Sequence, residues 1–172
     1  MSGAYQLTEI CVNAIIAELQ ANLPSALSAV NTARGNDGQG NLLPPREYFI
    51  YGTEKNYRKP VVFVIATGFE FQLDRGSNHI NATHDINVSV VIEDRLEKLL
   101  TIAAWRYQAA LVSVLHLNQL NGPSNQSKMV PKVVDIKYSP IYSEDSKKGS
   151  SEAVFCKEVL VGLRVEHFEP FE

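Results

Sequence analysis

Apolar and polar positions alternate along this chain in stretches whose period changes, and each stretch predicts an element. From Ile80 to Ile92 the even positions are Ile80, Ala82, His84, Ile86, Val88, Val90 and Ile92, apolar except for His84. The odd positions run Asn81, Thr83, Asp85, Asn87 and Ser89 before Val91. A period of two is a strand with one face on a core and the other toward water or a polar partner. Past Asp94 the period lengthens: Leu96, Leu99, Leu100, Ala103, Tyr107, Leu111, Val114 and Leu115 form the stripe of a helix lying on a core. Asp94 followed by Glu97 predicts an N-cap with its capping-box partner, and Asn121-Gly122-Pro123 predicts the stop.

The preceding apolar run, Val61 to Leu73, has Val61, Phe63, Ile65, Thr67, Phe69, Phe71 and Leu73 at its odd positions. If residues 74–79 turn the chain, Leu73 faces Ile80, Phe71 faces Ala82, Phe69 faces His84 and Ile65 faces Val88. Directly paired residues share a face, so this register predicts an antiparallel hairpin. Leu7 to Leu23 predicts a first helix through Ile10, Cys11, Ala14, Ile15, Leu19 and Leu23, weakened or ended by Asn22 and Pro24. A further turn or two fits over residues 25–30. Tyr48 to Gly52 is a short aromatic strand. Val130–Tyr142 and Ala153–Phe168 predict a second hairpin with a polar tip at 143–152, and Pro131 and Pro140 confine its first strand to an edge or a shorter central piece. The expected fold class is α+β: a mostly antiparallel mixed sheet of about five strands built on two hairpins, with two main helices packed on it. No repeat or linker divides residues 1–172, which are read as a single domain.

Two segments escape these periods. Residues 32–45 (TARGNDGQGNLLPP) combine turn formers with a double proline, and a loop this long is usually functional or disordered. Its glycines do not make a dinucleotide fingerprint. Reading Asn36-Asp37-Gly38 as a calcium loop puts Ala33 first and Gly35 third, where ligands belong. The tip at 143–152 (SEDSKKGSSE) is the other polar segment.

Composition narrows the function classes. The net charge of −3 gives no broad basic face for nucleic acid, and the basic patch at 55–59 is short. Cys11 and Cys156 sit in apolar patterns and read as buried thiols of a reducing compartment. With no signal-peptide pattern and no apolar run near the ~20 residues of a membrane span, the chain is expected to be soluble, made in the cytoplasm and away from membranes. His79, His84, His116 and His167 are scattered without metal-ligand spacing, and His84 reads as a core histidine. No nucleophile elbow, phosphate loop or facing acid pair appears, so no catalytic, cofactor or metal residue is assigned and the chain is read as a non-enzyme.

The order helix, irregular loop, aromatic strand, long hairpin, helix, hairpin resembles the tail terminator (tail completion) proteins of long-tailed bacteriophages. The resemblance rests on HINATHDINVSVVIEDRLEKLLTIAAWRYQAALVSVL, with its alternating strand, acidic helix start and Arg106-Tyr107, and on the proline-led strand PVVFVIATG. It implies a homo-hexameric ring in the virion tail or neck that caps the tail tube, stops its growth and meets the head–tail connector. Tail tube protein and connector would be its partners, and DNA would only pass through the channel. On this reading Asn81, Thr83, Asp85, Asn87 and Ser89 are candidates for the channel face. Arg34, Asn36 and Asp37 in the first loop, with Glu144, Asp145, Lys147 and Lys148 in the tip, are candidates for ring or inter-ring contacts. Another neck or baseplate ring protein is the alternative. A small hydrolase or ligand-binding domain using His84 or His167 is the alternative from another class.

Overall fold

A computed structural model of the chain describes residues 6–35, 37–50, 57–73, 79–122, 126–144 and 154–170. Helix α1 spans Leu7–Ala33, β1 Glu47–Phe49, β2 Val61–Leu73 and β3 His79–Asp94. Helix α2 spans Glu97–Leu115, followed by β4 Leu120–Asn121, β5 Lys128–Tyr138, β6 Tyr142–Glu144 and β7 Val154–Pro170. The strands form one sheet in the order β1-β2-β3-β7-β5-β4, with β6 pairing β7 beside β5. Only β1–β2 is parallel, so the sheet is mixed and mostly antiparallel, as expected. It holds seven strands, not about five, because β4 and β6 are additions of 2 and 3 residues. Strands this short carry no period of their own and exist through their neighbours.

Both expected hairpins are present, β2–β3 and β5–β7, and the long β3–β7 ladder welds them together. The second tip starts later than expected: Ser143 and Glu144 belong to β6, opposite Phe155 and Val154. Leu73↔Ile80, Phe71↔Ala82 and Phe69↔His84 pair as the sequence predicts. Ile65, however, faces Asn87, and Val64 faces Val88, because a bulge between Ala66 and Gly68 inserts Thr67. Val62, Val64, Ile86, Val88 and Val90 therefore join the main core under the helices, while Val61, Phe63 and Val91 cluster on the other face. The apolar odd positions that look like one face in the sequence are divided between two by this one extra residue.

Helix α1 runs through Pro24 instead of ending there. The missing N–H falls on the exposed side, while Leu19, Leu23 and Leu27 continue a fully buried stripe, each leucine contributing roughly 1.5–3 kcal/mol. By length and mean hydropathy (27 residues, 1.2) α1 could cross a membrane, contrary to the sequence expectation. Its buried stripe packs with α2 and the sheet in the core, the position of a core helix. Helix α2 also starts and stops differently. Leu96, not Asp94, is its N-cap residue, and the Asp94 carboxylate accepts the Leu96 N–H at 2.9 Å as the strand turns away. The helix ends at Leu115, before Asn121, and the Asn118 amide donates to the carbonyls of Val114 and Ser113.

Candidate functional site

All helix-derived core residues lie on one face of the sheet. The opposite face is built by the odd positions of β3 and their partners: Asn81 beside Phe168, Thr83 beside Glu166, Asp85 beside Arg164 and Asn87 beside Gly162. Asn81 is exposed, and Thr83, Asp85 and Asn87 are half-buried. The Arg164 Nε donates to Asp85 at 3.2 Å across the two central strands. That hydrogen bond, then the charge of Asp85, hold the guanidinium above its ordinary value, with a smaller contribution from Glu70. On β5, Lys132 lies beside Arg164, and the neighbouring Lys137 and Asp135 pair with each other. The helix-free face thus carries both signs of charge, interleaved. Gly68 closes on it from β2: a Cβ there would stand 3.0 Å from the Asp85 carboxylate, which would have to shift by a few tenths of an ångström to admit it.

Ser89 differs from its row. It is 4 % exposed, and its hydroxyl donates to the Glu158 carboxylate. It borders the apolar end of the face, where the Phe63 ring stacks on Phe49 at 5.8 Å and meets Tyr57 edge-on at 5.3 Å. The candidate channel residues therefore stand on one face, open and polar at 81–87 and closed at Ser89.

The loop residues Arg34 and Asp37 are also brought together. Arg34 bridges to Asp37 at 3.3 Å and to the Asn41 side chain at 2.6 Å, and Arg106 of α2 pairs with the same Asp37 carboxylate. Desolvation raises the Asp37 pKa, but the Gln39 amide, then Arg106 and Arg34, more than offset it and hold the carboxyl below its ordinary value. The loop is less free than its composition predicts. The Asn31 side chain clamps the Leu42 backbone, donating to its carbonyl at 3.0 Å and accepting its N–H at 2.9 Å. Leu42 is buried, and the Tyr107 hydroxyl donates to the Leu43 carbonyl. Asn36, Asp145, Lys147 and Lys148 lie outside the described residues, and Glu144 is placed only as the end of β6.

Histidines that are scattered in the sequence form an array in the structure. His84 Nε2 lies 3.3 Å from His167 Nδ1, His167 Nε2 lies 3.1 Å from the Glu169 carboxylate, and the Thr8 hydroxyl lies 3.4 Å from His84 Nδ1. Burial, then the neighbouring His167, push His84 down to about 4. His84 and His167 are 0 % and 2 % exposed, so the array is a buried polar network that joins β3, β7 and the start of α1. His84 among the even positions of β3 and His167 among the odd, core-facing positions of β7 were the available signal; it required knowing that β3 adjoins β7. Cys11 and Cys156 are both buried and neither is in a disulfide; burial pushes the Cys11 thiol up to about 12. Among the described residues no cluster of His, Cys, Asp and Glu offers a metal site.

No protein-family model matches the chain, and no curated protein does. Among solved structures, a chain from the virion of a native gene transfer agent particle is similar at 14 % identity. The match covers 95 % of this chain and 99 % of that one with a TM-score of 0.43, an overlap that carries no argument about role.

Proposed function

We propose that the protein is a structural virion component, a tail terminator whose copies form a ring that caps the tail tube, stops its polymerisation and presents a surface to the head–tail connector. The observation that carries this reading is the helix-free sheet face. Both helices cover one side, and the polar row Asn81–Asn87 with Arg164 and Glu166 is left open on the other. A sheet faced in this way can line a channel while its helices form the outer wall. Interleaved charges suit a lumen through which DNA passes without being held, because no run of cations neutralises successive phosphates. The resemblance of residues 79–117 to terminators supports the same assignment. The mechanism is associative: a bound ring covers the growing end of the tube, and no bond is made or broken.

Tail length tests the role. Virions lacking the protein are expected to carry overlong or unjoined tails, seen by negative-stain electron microscopy. Tails of normal length that merely lack heads would instead assign it to the neck or connector. Added protein should appear as a ring at one end of purified tubes; a monomer that never binds tube would overturn the assignment.

A further inference from the structure

The two margins of the sheet are treated differently. On the β5 side, β4 pairs with Lys128 and Met129, the Leu117 N–H donates to the Pro131 carbonyl at 2.8 Å, and the Val133 N–H donates to His116 Nδ1 at 3.2 Å. Only Val134–Tyr138 is left there without such a cover among the described residues. On the β2 side, β1 covers Val61–Phe63, and from Val64 to Leu73 no described strand pairs with the outer edge. That edge contains no lysine or proline, the residues that natural edges use against strand addition, and its Phe69 and Phe71 are 38 % and 49 % exposed with stacked rings 5.7 Å apart.

The uncovered stretch of β5 fits the uncovered stretch of β2. Ile136 and Tyr138 lie on the helix side of β5, opposite Val161 and Val159 of the core, while Asp135 and Lys137 lie on the helix-free side. Past the bulge, β2 has Phe69 and Phe71 on the helix side and Glu70 on the helix-free side. Each step β2–β3–β7–β5 is antiparallel, so β2 and β5 run in opposite directions and β5 of another copy would continue the sheet antiparallel. Lys137, with a side chain 71 % exposed, would then meet Glu70 among apolar neighbours on the other face. We infer that the Phe69–Leu73 part of the open β2 edge is paired by strand addition from Val134–Tyr138 of a second copy of this chain. Because the contact joins opposite margins, it is head-to-tail and repeats from copy to copy. The inference rests on the ring reading for its closure, not for the contact itself.

Cysteines at Glu70 and Lys137 in the full chain test it. Under mild oxidation the Glu70→Cys/Lys137→Cys double variant should give a ladder of covalent multimers, while each single variant behaves as the wild type. Glu70→Lys or Lys137→Glu should weaken self-association by about tenfold or more, and the combined reversal should restore it. Both side chains lie outside the core, and circular dichroism of each variant verifies folding. Wild-type rings on tail tubes without the ladder would overturn the edge contact and leave the terminator assignment standing. Cross-linking of Glu70→Cys alone would mean β2–β2 pairing and would also overturn it. If the wild type forms no ring on tubes, the terminator assignment fails and the cross-link still decides: open ladders support the contact, monomers overturn it.

Discussion

Leu117, which follows the C-cap residue His116 of α2, has φ 60 and is 59 % exposed, a backbone region that costs a branched residue about 1 kcal/mol or more. Leu117→Gly is therefore expected to raise stability by about 0.5–1 kcal/mol, read as a higher urea midpoint at unchanged slope. His84 sets a pH dependence. Its folded pKa is about 4 against an ordinary 6.5, so the folded state resists a proton that the unfolded chain accepts. The sign follows: its contribution is complete above pH 6.5 and is lost as pH falls toward 4, amounting to roughly 2–3 kcal/mol over the window. Urea titrations from pH 7.5 to about 4 should show this loss, and His84→Gln should flatten it. Asn31→Ala removes both hydrogen bonds to Leu42, for a cost of about 1–2 kcal/mol, and should speed hydrogen exchange across residues 37–43 while α1 stays protected.

At the scale of elements, the bulge at Thr67 decides which face each half of β2 presents. Deleting Thr67 forces one half to expose its buried set, and the protein is expected to lose several kcal/mol or fail to fold, measured by thermal denaturation. The half of this hairpin at 68–73 was legible in the sequence because Glu70 and Gln72 mark its polar face. The half at 61–66 was not, because apolar residues on both faces leave the pattern unchanged by a one-residue slip. Helix α1 shows the same limit. Pro24 reads as a stop, yet the burial of Leu23 and Leu27 outweighs the lost hydrogen bond on the exposed side. Pro24→Ala should recover about 1–2 kcal/mol in chemical denaturation. The polar row Asn81–Asn87 could be read from its period of two. The anchoring of residues 37–43 could not, since Asn31, Arg106 and Tyr107 reach the loop from helices by contacts that no local period encodes.

For the whole molecule, what matters is how the two hairpins meet. Strand β7 pairs with β3 along its full length and with β5 and β6 on its other side, so the helix-free face exists only once it is in place. Its partners on β3 are distant in the chain, from His79↔Pro170 to Asp94↔Phe155. Closing loops of this length is entropically slow, and the helices with β2–β3 can gather long before this ladder forms. Val159, Val161, Leu163 and Val165 have no apolar cover until then, and the facing row of β3 has no neighbour. This order of assembly predicts a transient state with the β3 edge open as well as the β2 edge, in which a copy can take up the β7 of its neighbour in place of its own. Slow refolding at low concentration, and exchanged dimers at high concentration, are what this order of assembly leaves behind.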